Sequence, residues 1–177
     1  MKKSDIQVHG NKAVIDDGKH RLIMDAEDAH LLHGWCIGIN TGGYARLRRE
    51  IKGKRVSVSL HRLVTNAPKG MDVDHVNHNT LDNRKANLRI CTRSENARNN
   101  KGHKGRASRY KGVYFDKWHK GFKNRGYLPW RAYTRVMGKR IWLGYYATQE
   151  EAGQAYNEYA AREFGEFAYL NEIPLKI

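Results

Sequence analysis

The strongest constraint on the fold lies between Trp130 and Gly165. Trp130–Val136 and Lys139–Tyr145 are two strand-like runs joined by Met137-Gly138, and a two-residue hairpin turn fixes the register of the strands it joins. Immediately afterwards Thr148-Gln149-Glu150-Glu151 spells a capping box, with Thr148 as N-cap and Glu151 at the third helical position. Ala152, Ala155, Tyr156, Tyr159, Ala160 and Phe164 follow at spacings of three and four, and Gly165 stands where such a helix should stop. With Gly112–Phe115 as a further strand, the expected unit is a three-stranded antiparallel sheet carrying one helix on one face. Tyr156 and Tyr159 are expected in its core, and the opposite sheet face is left exposed.

That exposed face should be cationic. Residues 109–147 hold ten Lys and Arg against one Asp, whereas residues 148–177 hold two basic and six acidic side chains. The 177-residue chain has a net charge of +15. Such a surplus favours a polyanionic partner, because Lys and Arg displace counterions condensed on phosphates. An RNA ligand satisfies the same charge argument. The two cysteines, Cys36 and Cys91, cannot build a cysteine-rich zinc site and are expected as buried thiols. No signal peptide or long apolar run is present, so a soluble cytoplasmic protein is expected, with no membrane and no protein partner implied.

The N-terminal part reads as short strands with turns: Lys19–Met24, Trp35–Asn40, Tyr44–Leu47 and Val56–Leu60, with a short helix over Asp25–Leu32. Residues 71–100 are rich in Asn, Asp and His and poor in apolar side chains, which suits loops bonded by their own side chains. Thr92-Arg93-Ser94-Glu95 forms another capping box, predicting a helix over Arg93–Asn100. Residues 101–108 are small, polar and basic, as expected of a linker.

The chemistry-bearing residues cluster before that linker: Leu60-His61-Arg62-Leu63-Val64, Val73-Asp74-His75-Val76, Leu81-Asp82-Asn83-Arg84, Ala86-Asn87-Leu88-Arg89 and Ser94-Glu95-Asn96. Phosphodiester hydrolysis needs a base for water, a cation to neutralise developing charge, and a partner that holds the base in place. Histidine titrates in the right range, and a hard divalent ion takes oxygen from carboxylates and amides. An isolated Asp-His pair carries little weight, and Asn83, Asn87 and His78 alone suit turns or loops; the ordered set of five segments carries more.

At these segments the chain resembles the HNH endonucleases of the phage and intron-borne homing branch. The resemblance implies a small ββα-metal core. It implies Asp74 and Asn96 as metal ligands, His75 as the base that activates water, and Asn87 as the residue that holds the loop and orients His75. His61 and Arg62 match a strand ahead of the motif, with a supporting or phosphate-contacting role. The final motif residue is Asn96 where other branches carry His. The implied cofactor is a divalent ion, Mg²⁺ or else Mn²⁺, with no zinc site.

From Ser108 to Asn171 the chain resembles the APETALA2 or ethylene-response-factor DNA-binding domain. The matching words are Tyr110-Lys111-Gly112-Val113-Tyr114, Trp130-Arg131-Ala132-Tyr133, Lys139-Arg140-Ile141-Trp142-Leu143-Gly144, Glu150-Glu151-Ala152, Ala155-Tyr156 and Leu170-Asn171. That likeness implies DNA contacts from Lys111, Tyr114, Arg131, Tyr133, Arg135, Arg140 and Trp142; against it, Trp142 also suits a partly core position, since one sheet face must pack on the helix. Lys111 and Tyr114 replace residues usual in that family, and residues 117–129 look inserted, so no target sequence transfers.

The resulting expectation is an α+β chain in four parts. A β-rich extension spans 1–58, the nuclease domain 59–101, a linker 102–107 and the sheet-plus-helix domain 108–172. It would bind and hydrolyse double-stranded DNA, as mobile phage nucleases do. The rival expectation is a non-catalytic DNA-binding regulator with a relic nuclease domain, against which the retention of Asp74, His75 and Asn96 argues.

Overall fold

The computed structural model describes residues 6–101, 108–116 and 128–174. The expected linker and most of the inserted stretch lie outside the described residues. The chain forms two compact units, Met1–Arg93 and Ser94–Ile177. The fold is mixed, with several small antiparallel sheets. Among the described residues no helix is long and apolar enough to cross a membrane.

Among the described residues the first unit contains three sheets. Strands β1 (Gln7–His9), β2 (Lys12–Asp16) and β3 (Arg21–Asp25) form one, and β4 (Cys36–Ile39), β5 (Ala45–Ile51) and β6 (Lys54–Ser59) form the next. Helix α1 (Leu60–Thr65) leads to the two-stranded sheet of β7 (Asp72–His75) and β8 (Leu88–Cys91). Ala13, Ile15, Leu22, Met24, Leu32, Ala45, Leu47 and Leu60 form one buried cluster, against which Leu63, Val64 and Leu81 pack. The expected extension and the nuclease segment therefore share a core. They are also sewn together by hydrogen bonds: the Ile23 N–H donates to Leu81 O at 2.9 Å, and the Asn83 N–H donates to Ile23 O at 2.7 Å. Lys85 Nζ reaches Glu27 at 2.7 Å and Asp28 at 2.9 Å.

Three local expectations differ from what is observed. The strand expected over Val56–Leu60 ends at Ser59, and Leu60 opens α1, so His61 and Arg62 are helical. Leu60 is buried by the turn into the helix rather than by strand alternation. Cys91 is buried as expected, but Cys36 is exposed, because it pairs with Arg48 on the solvent face of β4. The β1–β2 hairpin is an additional element, and the Asp25–Leu32 helix is a 3-10 helix over Ala26–Leu32.

In the second unit β9 (Val113–Phe115), β10 (Trp130–Val136) and β11 (Lys139–Tyr146) form a sheet in the order β11-β10-β9. Met137 and Gly138 both have positive φ, 49° and 77°, the geometry of a type I′ turn. Helix α3 (Gln149–Phe164) carries both bonds of the capping box, and its Ala152, Tyr156, Ala160 and Phe164 are buried. Helix α2 (Arg93–Asn99) also lies almost wholly in this unit. Its end is tied there: the Arg98 carbonyl accepts from the Tyr169 N–H, and Lys111 Nζ donates to the carbonyls of Arg98 at 2.5 Å and Asn100 at 2.7 Å. The division between compact units falls ahead of α2.

Candidate functional site

Backbone pairing positions the Asp-His pair. Asp74 and His75 end β7, opposite Arg89 and Leu88 of β8. Both side chains are buried. Arg89 donates to Asp74 Oδ2 through Nε at 2.9 Å and Nη2 at 2.6 Å, which fixes the rotation of the carboxylate. The loop that follows closes on Asn87. Its Oδ1 accepts from the Asn77 N–H at 2.9 Å, its Nδ2 donates to Asp82 O at 2.8 Å, and its backbone carbonyl accepts from the Val76 N–H at 2.9 Å. Asn87 thereby ties the chain directly after His75 to the segment around Asp82. Asp82 is clamped in turn by Asn77 at 2.9 Å and by the Arg84 fork at 2.7 and 2.6 Å. Arg84 holds its carboxyl below the usual carboxylate range.

Removing the Asn87 side chain should leave the Asn77 N–H and Asp82 carbonyl unsatisfied, at about 1–3 kcal/mol for such buried groups. Asn87→Ala is therefore expected to unfold at lower urea than the parent protein, and equal midpoints would refute the clamp.

His75 sits in an aromatic enclosure. Its ring centroid is 5.4 Å from that of His61 and 5.8 Å from that of Tyr44, and Tyr44 and His61 are 5.5 Å apart. Burial lowers the pKa of His75. The wholly buried Asn83, which faces it, and the carboxylates of Asp74 and Asp82 pull the other way. His61 is lowered to about 4, first by burial and then by the electrostatic influence of His75, Arg62 and Arg46. His61 is thus held uncharged near neutral pH, with its ring against that of His75. Arg62 donates to the carbonyls of Met71 at 2.6 Å, Ala67 at 3.0 Å and Pro68 at 2.9 Å, so it supports the loop before β7.

Tyr44 was not singled out by sequence reasoning. It comes from the β4–β5 turn, where its N–H donates to Asn40 Oδ1 at 2.9 Å, and Thr80 Oγ1 ties the preceding Gly43 carbonyl to the loop after His75. No spacing rule connects Tyr44 to His75, because the shared core brings them together.

In the second unit, side-chain alternation sorts the expected DNA-contact residues. Val113 and Ala132 face α3 and are buried. Tyr114, Arg131, Tyr133, Arg135, Arg140 and Trp142 lie on the opposite face, where they pair with one another across the strands: Tyr114 with Arg131, Tyr133 with Trp142 and Arg135 with Arg140. Tyr114 and Tyr133 stack at 4.2 Å, and the Arg140 guanidinium lies 4.6 Å from the Tyr133 ring and 5.3 Å from the Trp142 ring. Trp142 is half exposed, so little of it is core. Tyr145, stacked 6.5 Å from Trp142, joins this face and was not expected there. Arg131 pairs with Asp116 at 3.0 Å. Lys111 stands apart: it braces the carbonyls at the end of α2, and burial pulls its pKa down to about 8. Asn96 lies on α2, in the second unit.

Residues 60–98 match the family model of HNH endonucleases. An uncharacterized HNH endonuclease of Acanthamoeba polyphaga mimivirus is 33% identical over 122 residues, 66% of this chain and 58% of the viral protein. The chain thus spans a little over half of that relative. Dehydration-responsive element-binding protein 2E of Oryza sativa subsp. japonica is 44% identical over 55 residues, 30% of this chain and 17% of the rice protein. The solved structure of the HNH homing endonuclease I-HmuI aligns over 54% of this chain and 55% of its own, with 26% identity and a TM-score of 0.35, too low to establish a shared fold.

Proposed function

We propose that the chain is a divalent-metal-dependent HNH endonuclease that hydrolyses phosphodiester bonds of double-stranded DNA, of the phage homing type. The observation that carries this reading is the setting of His75. It is a buried imidazole on β7 beside Asp74, followed by a loop that Asn87 fastens, all within the segment matching the HNH endonuclease family.

The residues act as follows. His75, kept neutral by burial, accepts the proton of the attacking water. Asn87 holds the loop behind it, and the Tyr44 and His61 rings limit its rotation. Among the described residues no three His, Cys, Asp or Glu side chains gather to hold a metal. A lone carboxylate whose rotation Arg89 fixes still fits a hard ion that keeps much of its water shell. Asp74 would supply that carboxylate, and by resemblance Asn96 an amide oxygen. When bound, the ion neutralises charge on the scissile phosphate and leaving oxygen. Tyr114, Tyr133, Arg135, Arg140 and Trp142 would contact DNA from the outer face of β9–β11, with Arg131 fixed beside them by Asp116.

The Arg89 fork on Asp74 is also the arrangement a metal-free relic would retain, so the two readings must be parted by activity. Supercoiled plasmid incubated with the protein and Mg²⁺ is expected to become nicked or linear, and excess chelator is expected to stop the reaction, since a site with few protein ligands is easily stripped. Cleavage that persists in chelator would overturn the metal requirement. A protein that binds the plasmid without cutting it in Mg²⁺ or Mn²⁺ would be the regulator instead.

A further inference from the structure

The hairpin of β5 and β6 carries a charge that the candidate nuclease site and the β9–β11 face do not use. Between Ala45 and Ser59 it holds Arg46, Arg48, Arg49, Lys52, Lys54 and Arg55 against a single acid, Glu50. Alternation along β5 separates these side chains, because successive residues of a strand point to opposite faces. Ala45 and Leu47 are buried in the shared core, so Arg46 and Arg48 point away from it.

The pairing register shows what surrounds them. Arg46 lies opposite Gly38 on β4 and Ser59 on β6, Arg48 lies opposite Cys36 and Ser57, and Glu50 pairs with Arg55. The neighbours of Arg46 and Arg48 are all small, so the guanidinium groups stand above a shallow floor. Arg46 is aimed by hydroxyl groups, with Nε donating to Ser57 Oγ at 2.7 Å and Nη1 to Ser59 Oγ at 3.1 Å. The Arg48 guanidinium lies over Gly38, where an added Cβ would sit 3.8 Å from its Nη1. Among the described residues no carboxylate lies within ion-pair distance of Arg46, Arg48 or Arg55. Arg46 and Arg48 are therefore held over this face with no carboxylate of the described residues in ion-pair distance, and Arg55, exposed opposite Glu50, adds charge further along it. The inner end of this face meets the candidate active site, since Ser59 runs directly into α1 and His61, whose ring is 5.4 Å from that of His75.

We propose that the outer face of β4–β5–β6 is a second DNA-contact surface, in which Arg46, Arg48 and Arg55 seat the phosphates of duplex DNA beside His75. The inference rests on the reading of the chain as a DNA-binding nuclease. Fixed guanidinium groups are suited to phosphate oxygens, which they can grip through two parallel hydrogen bonds.

Full-length protein carrying Arg48→Ala together with Arg55→Ala should be compared with the parent for binding a short DNA duplex in excess chelator, over a series of salt concentrations. Both residues are exposed, so the melting temperature should not move. The slope of log affinity against log salt is expected to fall by about 0.9 for each phosphate contact removed, and Arg46→Gln, measured separately, should lower it by a similar step. An unchanged slope and affinity in both variants would overturn the proposal. So would a loss seen with duplex RNA and not with duplex DNA. Cleavage is not part of the measurement, so a shallower slope in a protein that never cuts plasmid would uphold this surface and sink the nuclease reading alone.

Discussion

Replacing His75 with alanine should lower the rate of plasmid cleavage by roughly 10²–10⁴, the usual cost of losing a general base, while duplex binding stays close to that of the parent. The imidazole is placed by its β7 register, by the loop that Asn87 fastens and by the rings of Tyr44 and His61, and burial favours its uncharged, proton-accepting form. Binding should survive because the cationic side chains on the outer faces of the two units lie on other elements. His75 is 4% exposed, so alanine leaves a cavity. His75→Gln, which keeps most of the volume and cannot serve as the base, separates lost chemistry from lost packing and should be equally slow. A His75→Gln protein cutting at the parental rate would remove His75 from the mechanism.

Gly112→Ala should unfold the sheet-plus-helix unit. Gly112 has φ +78°, and an added Cβ would lie 2.1 Å from Cδ2 and 2.6 Å from Cε2 of Tyr156. That ring is 1% exposed and belongs to the α3 core, so it cannot yield without displacing the helix. A left-handed backbone costs an L-residue about 1–2 kcal/mol, and overpacking adds about 1–3 kcal/mol, which together approach the whole stability of a unit this small. Gly138 supplies the control: its φ is +77° with nothing within 4 Å of the added Cβ, so Gly138→Ala should show the backbone cost alone. Urea unfolding followed by near-ultraviolet circular dichroism measures both. If the two alanine variants unfold at the same midpoint, the contact with Tyr156 is not what constrains Gly112.

The candidate site was legible to the extent that its chemistry is written in consecutive residues. Asp74-His75 alone says little, and it reads as a catalytic pair only within the ordered set of five segments and the resemblance that set carries; Asn87 as a loop holder comes from the same resemblance, since by itself an amide there suits a turn. The Asn87 side chain bonds the Asn77 N–H and the Asp82 carbonyl. Lys111 was legible as a cation but not as a brace. A lysine beside a sheet reads the same whether it reaches solvent or the carbonyls of Arg98 and Asn100, which are 13 and 11 residues away.

By itself the sequence determined the elements whose signals are local. The β10–β11 hairpin follows from Met137-Gly138 and α3 follows from its capping box, and both occur as read, because the side chains that define them lie within a few residues of one another. Tertiary structure alone decided which distant segments share a core. It joined the N-terminal strands to the nuclease segment, brought Tyr44 against His75, turned His61 and Arg62 from strand to helix, and set the unit boundary ahead of α2. Burial of apolar surface is non-directional and carries no spacing rule, so these outcomes depend on which surfaces meet and leave no local mark in the chain.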